Sequence, residues 1–238
     1  MDMTTEIPLE NQGENHSKIK GVYLISPSTL SPKQEEQEKF LLLLENILLE
    51  GIGIFQWRIK DGLNDRDQLF LAKQIRQITK RTQTLFFVND RVDLALLSEA
   101  DGLHLGPGDF PLRDIKKIWG RDKLLGLSNH TMEDVLSHVA DDDASLVTYH
   151  SLGPLYATTS KKQPDMVLGY PLFERVLPYL HRPVVAIGGI TLERLPRVLQ
   201  TGVEAVGVIS DIWHAQDPVL QAKKWVTSFR ELKGEANR

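Results

Sequence analysis

The chain has 238 residues, of which 41% are hydrophobic, and its formal net charge is -4. This length and apolar fraction suffice for one substantial core, whereas the charge argues against the basic face that nucleic-acid binding requires. Cysteine is absent, which excludes disulfides, thiolate catalysis and cysteine-ligated metals and is compatible with a cytoplasmic location. The N-terminus lacks the pattern of a signal peptide and the apolar runs are too short to cross a bilayer, so we expect no membrane partner.

Strand-like and helix-like segments alternate along the chain. Residues 1–18 are polar and predict a disordered extension, and we expect residues 19–238 to form one catalytic domain. Eight strand–helix pairs in regular succession predict parallel pairing and a single (β/α)8 TIM barrel of the α/β class, with a doubly wound open sheet as the alternative. The apolar runs are 21–26, 52–60, 85–89, 102–106, 124–129, 145–153, 183–189 and 205–210, and the helical stretches are 32–51, 65–81, 92–100, 112–119, 131–140, 171–180, 192–202 and 218–232.

The second strand ends in three polar side chains at alternate positions, Gln56, Arg58 and Lys60. An alternation of two places all three on one face, here the interior or mouth of the barrel. Arginine and lysine buried together need an anion, and a diphosphate would supply that charge. The alternative is a surface strand with solvated charges.

Strands three and four run into Asp90 and Asp109. Two carboxylates together with a polyphosphate are a usual way to hold Mg²⁺, which keeps several waters and few protein ligands. Either residue alone would more simply be a helix cap or a turn aspartate. The pair, next to the basic strand, favours a metal site.

Further polar groups follow the later strands. Strand five ends in Ser128 and Asn129, which could instead cap the next helix. The long gap at 154–170 after strand six is typical of a lid or binding loop, and its hydroxyls and lysines suit an anion as well as solvent. Strands seven and eight end in small residues at the place where barrels commonly bind phosphate. The residues concerned are Thr158, Thr159, Ser160, Lys161, Lys162, Gly188, Gly189, Ile209 and Ser210.

These residues, in this order, resemble the thiamine-phosphate synthase family over about residues 21–222. The motifs that carry the resemblance are YLIS, QWRIK, VNDRVDLAL, ADGLHLGPGD, GLSNHT, GPLYATTSKK, AIGGI and VISDI. Members of that family join hydroxymethylpyrimidine diphosphate to a thiazole phosphate, giving thiamine phosphate and diphosphate. The family reaction is dissociative, since the diphosphate leaves before the thiazole nitrogen attacks.

The resemblance implies a role for each matching residue. Gln56, Arg58 and Lys60 would bind the pyrimidine diphosphate, with Asn89 and Lys161 assisting. Asp90 and Asp109 would ligate Mg²⁺, and Ser128 would contact the pyrimidine. Arg58, Lys60, Ser128 and Lys161 are therefore the catalytic candidates. The thiazole phosphate would be held by Thr158, Thr159, Ser160, Gly189, Ile209 and Ser210.

The chain departs from the family pattern at three places. Ile59 replaces a usual acidic residue, and Pro107 and Gly108 precede Asp109. The third departure is the strand-six segment Thr148–Ser151, where Tyr149 or His150 would reshape the thiazole end of the pocket if it pointed inward.

Three alternative functions and one structural question stay open. The first rival is a thiazole tautomerase-like isomerase using His130 or His150 as acid and base, although such an enzyme needs no diphosphate site. The second is a non-catalytic regulator that binds a thiamine precursor. A general phosphate-binding barrel of the epimerase or indole-synthesis type is a weaker alternative. The sequence does not decide whether the chain forms a homo-oligomer.

Overall fold

Eight parallel strands close into a barrel in the computed structural model, which describes residues 18–120, 122–157 and 167–234. Each strand pairs with the next along the chain, and the last pairs with the first. This closure confirms the predicted (β/α)8 barrel. The strands are β1 (Gly21–Ile25), β2 (Ile54–Trp57), β3 (Leu85–Asn89), β4 (Gly102–Leu105), β5 (Leu124–Asn129), β6 (Tyr149–Leu152), β7 (Val184–Ala186) and β8 (Ala205–Val208).

Helices surround the barrel and connect successive strands. They are α1 (Gln34–Leu49), α2 (Asp65–Thr82), α3 (Val92–Leu97), α4 (Leu112–Ile115), α5 (Met132–Ala140), α6 (Gly169–Val176), α7 (Leu195–Leu199), α8 (Ser210–Trp213) and α9 (Pro218–Leu232). The predicted helices at 112–119 and 192–202 are shorter than expected. The short α8 directly after β8 lies within no predicted helix. Within the part of the chain described here, no helix is both long and apolar enough to span a membrane.

Two apolar layers hold the barrel together. The larger one lies between the strands and the helices, and it includes Leu24, Phe55, Phe86 and Leu103. The smaller one fills the barrel interior. Its members are Ile19, Tyr23, Ile54, Phe87, Leu124, Tyr149, Val185 and Ala205. Alternate residues of each strand therefore face the two layers, as a strand period of two requires.

Two glycines make room for the interior rings. A Cβ atom on Gly102 would lie 2.0 Å from the Phe87 ring, and one on Gly126 would lie 2.2 Å from the Tyr149 ring. Both distances are far inside van der Waals contact. Aromatic rings can fill the barrel interior because the neighbouring strands carry no side chain at these two positions.

Some predictions fall on segments that the structure does not describe. The predicted N-terminal extension covers residues 1–18, of which 1–17 lie outside the described residues. Most of the predicted binding loop, from 158 to 166, also lies outside them, and with it Thr158, Thr159, Ser160, Lys161 and Lys162.

Candidate active site

A single cavity of about 890 Å³ opens at the carboxyl ends of the strands. Barrel enzymes carry their active sites at this end. Every residue to which the family resemblance gives a role, within the described part of the chain, lines this cavity. These residues are Gln56, Arg58, Lys60, Asn89, Asp90, Asp109, Ser128, Gly189, Ile209 and Ser210.

The alternate residues of the basic segment face the cavity, as predicted. Of these three residues, Gln56 lies within β2, whereas Arg58 and Lys60 follow the end of the strand. Ser26 and Ser28, just past β1, position Arg58. The Ser26 hydroxyl accepts the Arg58 backbone N–H at 2.8 Å, and Arg58 Nη1 donates to Ser28 Oγ at 2.9 Å. Ile59 faces the apolar layer outside the barrel, so this departure from the family pattern does not touch the cavity.

Asp90 and Asp109 come together at the ends of β3 and β4. The pKa of Asp109 is raised, first by partial burial and then by the neighbouring Asp90 carboxylate, while Gly106 and Lys60 oppose the shift. Lys60 Nζ forms a close ion pair with Asp90. Two carboxylates that crowd each other beside a lysine offer oxygen atoms that could hold a cation.

Asp90 and Asp109 are positioned by different features of the backbone. Asp90 adopts a left-handed φ of 62°, which is uncommon outside glycine and concentrates at functional positions. The residue before α3 is Arg91, and no side chain caps that helix, so the alternative of Asp90 as a helix cap is wrong. Asp109 closes a turn, because its Oδ2 accepts the Gly106 N–H at 2.7 Å. The departures Pro107 and Gly108 lie within this turn and also line the cavity.

Ser128 faces the cavity and does not cap α5. The cap of that helix is Thr131, whose hydroxyl accepts the Asp134 N–H while the Asp134 side chain accepts the Thr131 N–H. Ser128 Oγ lies 2.8 Å from His104 Nε2 and 3.2 Å from Ser151 Oγ. Asn129 is buried on the other face of β5, so the capping alternative is wrong for both residues.

A second group of residues lines the cavity after β7 and β8. Gly188 and Gly189 both have positive φ, of 94° and 62°. A Cβ atom on Gly189 would lie 2.5 Å from the Ala157 carbonyl oxygen, so the two loops approach too closely for any larger residue. Arg194 Nη1 donates to the Gly189 carbonyl at 2.5 Å, and its guanidinium lies 4.2 Å from the centre of the Tyr156 ring. Ile209 and Ser210 form the junction of β8 with α8.

The two aromatic residues of the strand-six departure point in opposite directions. Tyr149 points into the barrel, where its ring meets Tyr23 and Phe87. His150 points outward and stacks on His138 of α5 at 6.5 Å. His150 therefore cannot act as an acid or base in the cavity, and that candidate is wrong. His130, the other candidate, lines the cavity and shares a 2.7 Å hydrogen bond with the Gly153 carbonyl.

Several cavity residues were not predicted. Tyr23, His104 and Ser151 lie deep in the cavity, and Arg194 and His214 lie on its other side. The sequence contains an indication for His104. It is a polar residue in an otherwise apolar strand, at one of the alternate positions of β4 that face the barrel interior. For Arg194 the sequence offered none, since it lies in a turn of 3₁₀ helix rather than at a strand end.

Comparison with known proteins agrees with this geometry. The sequence model of the thiamine monophosphate synthase family matches residues 22–212, which is most of the chain. The chain belongs to this family. A thiamine-phosphate synthase of Streptococcus suis (strain 98HAH33) is 36% identical over 218 residues, covering 90% of this chain and 91% of that protein. A thiamine-phosphate synthase of Synechococcus sp. (strain CC9605) is 40% identical over 174 residues, or 73% of this chain.

A solved structure has the same architecture. Thiamine phosphate pyrophosphorylase from Pyrococcus furiosus superposes with a TM-score of 0.77 at 29% identity, covering 92% of this chain and 98% of that one. The present chain spans only 48% of the Synechococcus protein, and it spans between 51% and 58% of the next four relatives. The segment that matches this chain is therefore only about half the length of each of these five relatives.

Membership of this family is compatible with a bound metal, and the donor set fits one. Asp90 and Asp109 supply hard carboxylate oxygens from neighbouring strand ends. Within residues 18–120, 122–157 and 167–234, no group of three or more acidic, histidine or cysteine side chains is arranged to hold a metal ion. A cation held here would take its other ligands from a substrate and water.

Proposed function

We propose that this chain joins hydroxymethylpyrimidine diphosphate to thiazole phosphate, giving thiamine phosphate and releasing diphosphate. The observation that carries this proposal is that two different groups of residues suited to anions line one cavity. One consists of cations and carboxylates on β2 to β4, and the other consists of glycine backbone and a hydroxyl after β7 and β8. A reaction between two phosphorylated molecules needs such a pair of sites.

The first site suits a leaving diphosphate. Arg58 and Lys60 provide positive charge at the cavity wall, and Arg58 is oriented by Ser28. Asp90 and Asp109 would hold Mg²⁺, and that ion, when bound, would shield the charge of the diphosphate. Lys60 is paired with Asp90, and its side chain is 45% exposed, so an incoming phosphate would also reach it.

The second site suits a phosphate monoester held by backbone groups. Gly188 and Gly189 leave no side chain between a ligand and the chain, and Ser210 adds a hydroxyl at the start of α8. Thr158, Thr159 and Ser160 would complete this site, as the family pattern implies. The separation of the two sites across the cavity would place the thiazole ring opposite the pyrimidine.

The chemistry that these residues support is a dissociative substitution. Departure of the diphosphate leaves positive charge on the pyrimidine methylene and adds negative charge to the leaving group. Arg58 and Lys60 would stabilise that negative charge as it grows. Gln56, Asn89 and Ser128 would hold the pyrimidine, and the thiazole nitrogen would then attack the methylene cation. No nucleophilic side chain is needed, since positioning and charge stabilisation suffice.

The isomerase alternative has weaker support. A tautomerase acting on thiazole phosphate alone has no use for the cations and paired carboxylates on β2 to β4. Of the two histidines predicted to act as its acid and base, only His130 lines the described cavity. Incubation of the chain with thiazole phosphate alone would reveal such an activity by a change in the thiazole signal.

The decisive experiment supplies both phosphorylated precursors and Mg²⁺. We expect thiamine phosphate and diphosphate to form in equal amounts, and we expect a chelator to stop the reaction. Absence of product together with isomerisation of the thiazole would refute the synthase. Tight binding of a precursor with no turnover of any kind would favour the regulator.

A further inference from the structure

A continuous chain of buried hydrogen bonds crosses the barrel beneath the cavity. Gln56 Nε2 donates to the Tyr23 hydroxyl at 2.9 Å, and the Tyr23 and Tyr149 hydroxyls lie 2.7 Å apart. The Tyr149 hydroxyl lies 2.7 Å from His104 Nδ1, and His104 Nε2 lies 2.8 Å from Ser128 Oγ. All five side chains are at most 9% exposed, so water does not replace these bonds. The two ends, Gln56 and Ser128, both line the cavity.

The bond at Gln56 is compatible with one direction for every later bond. A tyrosine hydroxyl has one proton, so Tyr23, which accepts from Gln56, can donate its own proton to Tyr149. Tyr149 then donates to Nδ1 of His104. A neutral imidazole with an acceptor at Nδ1 carries its proton on Nε2, and it donates that proton to Ser128.

The two tyrosines in the middle keep their protons. Burial raises the pKa of Tyr23 far above its usual range, although hydrogen bonds from Tyr149 and Gln56 oppose the shift. Burial also raises the pKa of Tyr149 well above 10, and the neighbouring Tyr23 adds to the shift. Gly126 leaves space for the Tyr149 hydroxyl, because a Cβ atom at that position would lie 2.4 Å from it. The two tyrosines therefore contribute neutral hydroxyls with one proton each.

We infer that Tyr23, Tyr149 and His104 are positioning residues that fix Gln56 as a hydrogen-bond acceptor and Ser128 as a donor toward the cavity. With Nε2 of Gln56 engaged below, its Oε1 is the atom turned to a bound molecule. With Ser128 accepting from His104, its own proton is available to Ser151 at 3.2 Å or to a ligand. If Gln56 or Ser128 exchanged its donor and acceptor roles, the hydrogen bonds between them would have to change direction as well.

An acceptor at Gln56 and a donor at Ser128 match one class of pyrimidine ring. An aminopyrimidine presents an amino donor beside a ring-nitrogen acceptor, which is complementary to an acceptor at Gln56 and a donor at Ser128. An oxopyrimidine presents the opposite order, a carbonyl acceptor beside a ring N–H donor. The inference rests on the proposed function for the identity of the substrate, and it adds the reason why an amino ring would be preferred over an oxo ring.

The first test needs no activity. Long-range ¹H–¹⁵N spectra of the protein, with a His104→Gln variant to assign the signal, report which ring nitrogen carries the proton. We expect an unprotonated Nδ1 and a protonated Nε2. The opposite tautomer, or a ring protonated on both nitrogens at neutral pH, would overturn the inference whether or not the protein is a synthase.

The second test compares substrates. Tyr149→Phe removes one link, so Gln56 and Ser128 become free to reorient. We expect the preference in kcat/KM for the aminopyrimidine diphosphate over its oxo analogue to fall by about tenfold or more, the loss of roughly one hydrogen bond. The KM for thiazole phosphate should not change. Tyr23→Phe should act in the same way and serves if Tyr149→Phe does not fold.

Tyr170→Phe is the matched control. Its hydroxyl is also bonded to a tyrosine, Tyr156, at 2.7 Å, but Tyr170 does not line the cavity. The control should leave the amino-to-oxo preference unchanged. An unchanged preference in folded Tyr149→Phe and Tyr23→Phe proteins would overturn the inference. If the wild type makes no thiamine phosphate, the proposed function fails, and the tautomer of His104 still decides the inference.

Discussion

His150 makes the stability of the barrel sensitive to acid. The side chain is 4% exposed and lies between β6 and α5, where Asn129 Nδ2 lies 3.2 Å from its Nδ1. Burial, together with the nearby His138 and Arg182, lowers the pKa of His150 to about 4. Burial likewise lowers the pKa of His138, whose Nδ1 shares a 2.9 Å hydrogen bond with Asn129 Oδ1. His150 and His138 therefore bind a proton less readily in the folded protein than in the unfolded chain.

The sign and size of the effect follow from proton binding. Above the unfolded pKa of 6.5 His150 is neutral in both states and contributes no dependence on pH. Between 6.5 and about 4 the unfolded chain binds the proton and the folded chain does not, so the free energy of unfolding falls as the pH falls. The loss due to His150 is about 2 kcal/mol at a pH of about 5, and it reaches about 3 kcal/mol once the pH is below the folded pKa.

Urea unfolding at about pH 7.5 and about pH 5 measures this loss. We expect His150→Leu to lose about 2 kcal/mol less than the wild type between the two pH values, by the same proton-binding argument. Asn129 keeps its bonds to the Leu127 and Ser151 carbonyls in the variant, so stability near pH 7.5 should change little. His181→Leu, at an exposed histidine, is the matched control and should behave like the wild type. Equal losses in His150→Leu and the wild type would refute the reasoning.

Three further predictions concern the site and the core. Asp90→Asn should lower turnover at least about a hundredfold and weaken Mg²⁺ dependence if the carboxylate holds the ion, whereas unchanged activity at limiting Mg²⁺ would contradict that role. Arg58→Ala should raise the KM for the pyrimidine diphosphate more than that for thiazole phosphate, and equal increases would contradict the assignment of two sites. Gly102→Ala should cost about 2 kcal/mol or more in thermal or urea unfolding, because its methyl group meets the Phe87 ring at 2.0 Å, while Gly120→Ala, with open space around it, should be neutral.

Much of the barrel was predictable because its signals are local. Helix periodicity and apolar strands are encoded within windows of a few residues, and eight repeats of that pattern leave few alternative topologies. Gln56, Arg58 and Lys60 could be assigned to one face because a strand alternates strictly. Asp90 and Asp109 could be brought to one edge because parallel strands share their carboxyl ends. Their roles in binding remain predictions.

The direction of Tyr149 and His150 could not be predicted in the same way. A shift of β6 by one residue would turn Tyr149 outward and His150 inward. Because both faces of this strand carry polar residues, the hydrophobic pattern does not select one of the two registers. The register is decided by a residue far away in the chain, since only Gly126 on β5 leaves space for the Tyr149 ring. The same register places Ser151 beside Ser128, so it also determines part of the cavity floor.

The sequence by itself determined the number and order of the strand–helix units and the kinds of side chain at the strand ends. The tertiary structure decided which of those side chains meet: the crowding of Asp90 and Asp109, the burial of His150 against α5, and the hydrogen-bonded chain from Gln56 to Ser128. The physical reason is that propensity and periodicity act within one element. Hydrogen bonds and like-charge contacts between strands depend instead on barrel closure and strand register, which no single segment specifies.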